Sequence, residues 1–125
     1  MAQRAFVSFD YDNDARLKDL LIGQSKLPDS PFVIHDWSLK EPSSDWKARA
    51  RRQIRSSGLV IVLCGTHMNT ATGVSVELKI AQEEGVRYFL LAGYEGSTKP
   101  LGVKPDDKLY KWTWDNLKAL VGGAR

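Results

Sequence analysis

The sequence predicts an α/β fold in which helices cover both faces of a parallel sheet, and three observations predict it. Short apolar runs alternate with amphipathic stretches along the whole chain, the pattern of strands joined by helical crossovers. One run, "GLVIVLC" at residues 58–64, carries no charge, as expected of a central strand covered on both faces. The balance of 42% hydrophobic and 26% charged residues over 125 positions suits one domain with a single real core, not a disordered chain or a coiled coil.

Each element has its own signal. "RAFVSF" is a short apolar strand. "NDARLKDLLIGQ" is an amphipathic helix with Leu17, Leu20 and Leu21 on one face and Asn13 as its expected N-cap. "PFVIH" is the second strand. "SSDWKARARRQIRSS" is a helix with a serine start and a Gly58 stop. "GLVIVLC" is the third strand, and "ATGVSVELKIAQEEGV" a helix ending at Gly85, a natural position just past a helix. "VRYFLLAG" is the fourth strand. Gly93 to Asp107 reads as loop, with a short strand near Tyr110, and "TWDNLKALV" closes as a helix capped by Thr113. At this length the natural architecture is a flavodoxin-like three-layer sandwich with a four- to five-stranded parallel sheet, a single domain over residues 1–125.

Composition narrows the function. No apolar run reaches the length of a membrane span, and "MAQRAFVSF" lacks the apolar segment of a signal peptide. The single cysteine, Cys64, leaves no internal disulfide framework, so a cytoplasmic protein is expected. The net charge of +3 is mildly basic, and much of the excess lies in "KARARRQIR". There Trp46, Ala50 and Ile54 form an i, i+4, i+8 stripe, so the arginines read as a solvated helix face and nucleic-acid binding is not expected.

Ligands of such sheets bind beyond the C-terminal strand ends, where strand order reverses. That edge collects Phe9, Asp10, Tyr11 and Asp12 after the first strand, and His35, Asp36, Trp37 and Ser38 after the second. Cys64 to Thr72 and Gly93 to Glu95 complete it. Glu77, expected in the first turn of the next helix, lies near it and poses a problem. On a wheel with about 3.6 residues per turn, Glu77 falls inside the apolar arc of Val74, Val76, Leu78, Ile80 and Ala81. The ordinary reading is a carboxylate favoured by the helix dipole. A capping box fails, because it needs Ser or Thr three residues earlier and position 74 is Val. A carboxylate in an apolar arc must find donors or line a cleft.

Several familiar sites are absent. There is no GxGxxG and no Walker loop, and His35, His67 and Cys64 are not at metal-ligand spacing, so no metal is expected. Cys64 and His67 are three residues apart at a strand end, which is not a triad geometry. A phospho-accepting receiver domain wants its aspartate after the third strand, where this chain has "CGTH". A flavodoxin would need a phosphate loop where "DYDND" would repel phosphate.

Three stretches together carry a resemblance: "AFVSFDYDND", "IHDWSLKEPSSDWKARARRQIRSS" and "SGLVIVLCGTHMNTATGVSVELKIA". They resemble bacterial TIR-like proteins, and more closely the subgroup that includes the TIR component of Thoeris anti-phage systems. The pattern D-x-S-x-x-E-P-x-x-x-W, met by Asp36, Ser38, Glu41, Pro42 and Trp46, is the more specific part. The resemblance implies a flavodoxin-like fold and cleavage of NAD at the nicotinamide–ribose bond, with Glu77 as the catalytic glutamate. NAD is then a substrate, with no tightly bound cofactor. Expected substrate contacts are Phe9, Asp10, Tyr11, Asp36, Ser38, Trp46 and His67, with Phe9, Tyr11 or Trp46 as a stacking wall and the helix starts near Asn13 and Gly73 receiving pyrophosphate. Gly73-Val74 departs from the Ser or Cys followed by Trp common before that glutamate.

The resemblance further implies a cyclic or conjugated ADP-ribose-derived signal read by a separate effector protein, and a site that a second copy completes. The alternative is a non-catalytic adaptor that docks through the loop from Ser38 to Ser44.

Overall fold

The protein's computed structural model describes residues 3–38 and 45–123. In chain order these form β1 (Gln3–Ser8), α1 (Tyr11–Ser25), β2 (Phe32–Trp37), α2 (Trp46–Ser57) and β3 (Leu59–Cys64). A short 3-10 turn (Met68–Thr70) leads to α3 (Thr72–Glu83), β4 (Arg87–Ala92), β5 (Leu109–Lys111) and α4 (Trp114–Val121). The strands pair in parallel in the order β2-β1-β3-β4-β5. The flavodoxin-like three-layer architecture is thus observed, with the short fifth strand at the edge.

Crossover handedness decides where each helix lands. The chain runs one way from β1 to β2, then back past β1 to β3 and on to β4. Right-handed crossovers put connections of opposite direction on opposite faces. Leu17 and Leu21 of α1 accordingly join Ala5, Val7, Ile61 and Leu63 in one core, to which α4 adds Leu117 and Leu120. Ala50 and Ile54 of α2 and Val74 and Leu78 of α3 join Phe6, Val60 and Val62 in the other. Strand β3 feeds both cores alternately, and all six of its residues are 0% exposed. Each such aliphatic side chain contributes about 1.5–3 kcal/mol by leaving water.

The β1–β2 ladder slips by one residue, with Ala5 opposite Ile34 but Phe6 opposite Asp36. His35 is the extra residue, and a one-residue slip reverses which side of the sheet the following side chains face. Ile34 and Trp37 therefore lean on the same core although an odd number of positions separates them. Ser38 is turned to the opposite, α3 side of the sheet.

Several local expectations are corrected. The N-cap of α1 is Asp10, not Asn13: β1 ends at Ser8, Asp10 is extended (φ −77°, ψ 104°), and its carboxylate accepts from the Asp12 amide at 3.2 Å. Asn13 lies inside the first turn and donates its Nδ2 to Asp10 at 2.7 Å. Leu20 is 56% exposed, because it sits about 100° from Leu21 on the wheel and outside the stripe that Leu17 and Leu21 define. Helix α3 begins at Thr72, which moves Glu77 into its second turn and weakens the dipole explanation for it. The expected serine start of α2, at Ser43 or Ser44, lies outside the described residues, as do Glu41, Pro42 and most of the proposed docking loop. Gly58 does end α2, in the left-handed region at φ 78°. The basic face of α2 is partly internal in purpose. Arg51 pairs with Glu83 and Arg55 with Glu84, each at 2.8 Å, tying α2 to the end of α3.

Candidate functional site

At the C-terminal ends of β1 and β2, three side chains from distant parts of the chain meet around Glu77. Glu77 is 1% exposed. Its Oε1 accepts from Ser8 Oγ at 2.7 Å and from Ser38 Oγ at 2.5 Å. Ser38 Oγ in turn accepts from the Phe9 amide at 3.1 Å. Burial pushes the Glu77 carboxyl up from 4.5 to about 7, and the hydrogen bonds from Ser38 and Ser8 hold it from rising further. A carboxyl poised near neutrality in a cleft is a functional signature with a stated cause.

The cleft beside Glu77 has a volume of about 150 Å³. Phe9, Asp10, Tyr11 and Asp12 line it from the β1–α1 connection, Ser38 and Trp46 from the second side, and Thr70 to Val74 from the start of α3. Phe9 is buried and stacks on the more exposed Tyr11, with centroids 5.4 Å apart and planes 30° apart. Lys18 Nζ lies 5.9 Å from the Phe9 centroid and 5.4 Å from that of Trp37. Gly73 leaves room against Trp46: a Cβ there would lie 3.8 Å from the indole.

The two helix starts differ. The Asp10 carboxylate covers that of α1, so the expectation of an anion site near Asn13 does not hold. No side chain caps α3, and its first turn contains no acid. Its opening amides at Thr72 and Gly73 border the cleft.

Of the residues singled out in the sequence, the structure gathers Phe9, Asp10, Tyr11, Ser38, Trp46 and Glu77 around one cleft. Two stand apart from its lining. Asp36 faces Arg4, with its Oδ2 3.3 Å from Nη2. His67 is exposed, its Nδ1 3.2 Å from Thr66 Oγ1. Ser38 also has a different neighbour from the one expected: it touches the glutamate itself. Ser8 was missed, and the only sequence signal for it is a hydroxyl at a strand end facing the α3 side.

Two other features lie near the same sheet edge. Asp14 is 1% exposed, its Oδ2 has no hydrogen-bond partner, and its pKa is raised, first by burial and then by Asp10, with His67 opposing. It presses on Gly65, where a Cβ would sit 2.3 Å from both carboxylate oxygens. A larger cavity of about 740 Å³ opens at the ends of β4 and β5, bordered by Gly93 to Ser97, Lys111 and Trp112, and does not contain Glu77. Burial drives the Cys64 thiol up to about 12, so it is no nucleophile at neutral pH. Among the described residues, no cluster of three or more His, Cys, Asp or Glu side chains is placed to hold a metal, and no helix is long and apolar enough to cross a membrane.

Compared with known proteins, the chain matches the family described as Thoeris protein ThsB, TIR-like domain, over residues 6–94. That span takes in β1 to β4 and therefore every residue of the Glu77 cleft. No curated protein matches the chain.

Proposed function

The chain belongs to the TIR-like domain family of Thoeris protein ThsB, and from that membership we propose that it cleaves NAD at the nicotinamide–ribose bond through Glu77. The observation that carries the reading is a buried carboxylate held by two hydroxyls at the edge of a cleft.

The chemistry suits a site with one carboxylate. Ordinary glycosidases use two, one of them to protonate the leaving group. Nicotinamide in NAD already carries positive charge, and it leaves neutral when the C1′–N1 electron pair departs with the ring. No general acid is needed. What remains is a ribosyl cation, which an ionised Glu77 stabilises from inside a site of low dielectric. Water at C1′ then gives ADP-ribose and a proton. A nucleophile within the same molecule gives a cyclic product, and a second small molecule gives a conjugate. Family membership favours a cyclic or conjugated product that serves as a signal to a separate effector protein in anti-phage defence.

Binding follows from the lining. Phe9 and Tyr11, or Trp46, offer aromatic faces to the nicotinamide ring. The uncapped start of α3 suits the pyrophosphate. At about 150 Å³ the cleft is smaller than sites for whole small molecules, about 300–1,000 Å³, so it seats the reacting end of NAD only. The rest of the substrate then requires surface beyond the cleft, which a second copy of the chain supplies.

The test is NAD consumption by concentrated wild-type protein beside Glu77→Gln, with products resolved by mass. Loss of NAD in the wild type alone supports the reading. A folded Glu77→Gln variant that turns over NAD at the wild-type rate ends it, and assembly with no NAD loss under any condition favours the adaptor.

A further inference from the structure

Ser8 and Ser38 do more than satisfy a buried carboxylate. We propose that they are positioning residues that grip Oε1 of Glu77 and leave Oε2 as the oxygen that meets the substrate; the proposal rests on the reading of Glu77 as the catalytic group.

The geometry divides the carboxylate into two unequal halves. Both hydroxyls donate to Oε1, at 2.7 and 2.5 Å. Oε2 accepts no hydrogen bond from a described residue. A serine hydroxyl has one proton and rotates freely unless something fixes it. Ser38 is fixed, because its Oγ accepts from the Phe9 amide at 3.1 Å and so directs its proton to Glu77. Phe9 in turn forms the aromatic wall of the cleft with Tyr11, so one backbone amide ties the wall to the carboxylate.

The arrangement is built by the sheet. Ser8 is the last residue of β1 and faces the α3 side, like Phe6 two positions before it. Ser38 follows β2 and would face the α1 side were the ladder regular. The slip between Ala5 and Phe6 reverses it and brings it to Glu77. Two adjacent strands thus deliver one hydroxyl each to the same oxygen.

No charged group shares this task. The shift of Glu77 has three causes, burial and the two serines. The titratable groups bordering the cleft are Asp10, Tyr11 and Asp12 from the β1–α1 connection, while α2 offers Trp46 and the start of α3 offers Thr70 and Thr72. Removing either hydroxyl should therefore raise the Glu77 pKa by about one unit, since a hydrogen bond to a charged group is worth about that much.

The experiment compares wild type with Ser8→Ala, Ser38→Ala and Ser38→Thr. Two quantities are read: NAD consumption from pH 6 to 9, and the Glu77 carboxyl titration by carbon NMR of the folded protein. The expected result is an upward move of about one pH unit in the midpoint of both for the alanine variants, and recovery in Ser38→Thr. Activity at neutral pH should fall about fivefold and approach the wild-type rate at high pH. Folded alanine variants whose carboxyl titration is unmoved overturn the proposal. The two claims fail differently. A wild-type protein without NAD turnover removes the catalytic reading, while the carboxyl titration still decides whether the serines hold Oε1.

Discussion

Ser8 and Glu77 lie 69 residues apart in the chain and their side-chain oxygens 2.7 Å apart in the fold. That contact explains how an acid can occupy the apolar arc of α3. It is buried among aliphatic neighbours at a cost in charge, and hydroxyls from β1 and the end of β2 offset part of that cost. The residual strain is the functional signal.

Glu77→Gln should stabilise the fold at neutral pH. The folded carboxyl titrates near 7, against 4.5 for its ordinary value, so the folded state favours the protonated form. The penalty is absent below about pH 4.5, grows as pH rises towards 7 and is constant above. The variant should therefore match wild type near pH 4 and exceed it by about 1–3 kcal/mol at pH 8. Urea unfolding at the two pH values measures this, and a variant less stable than wild type at pH 8 would contradict it.

The same titration sets the pH dependence of turnover. If the ionised carboxylate stabilises the ribosyl cation, NAD consumption rises with pH through a midpoint of about 7 and then levels off. A rate that falls across this range would assign Glu77 the role of an acid instead.

Gly65→Ala should be severely destabilising, because its Cβ would sit 2.3 Å from both oxygens of Asp14. Asp14→Ala, placed in the Gly65→Ala background, should recover most of the loss, a coupling that a double-mutant cycle reads directly. Asp14→Asn alone should be neutral or stabilising, since Oδ2 is buried without a partner and the carboxyl is already pushed towards its protonated form.

At the start of α1, Asp10→Ala should cost about 1 kcal/mol through loss of the bond to the Asp12 amide, and Asn13→Ala clearly less. Thermal unfolding of the two variants ranks them, and the reverse order would restore Asn13 as the cap.

How much of this the sequence could reveal depends on range. The layers were legible because "GLVIVLC" and the alternation around it depend on local periodicity, and β3 is buried on both sides as that run requires. Glu77 was legible because a helical wheel exposes a charge in an apolar arc. Ser8 was not, because its partner comes from another part of the chain. The role of Ser38 was misread because the slip at His35, which decides the side it faces, leaves no mark in the sequence. The choice between Asp10 and Asn13 turned on where β1 ends, and both residue types make good caps.

The most direct measurement is NAD consumption by concentrated protein, wild type beside Glu77→Gln, with products separated by mass. The account predicts that wild type releases nicotinamide and an ADP-ribose-derived product while a folded Glu77→Gln protein does neither. Equal NAD loss from both proteins would contradict it.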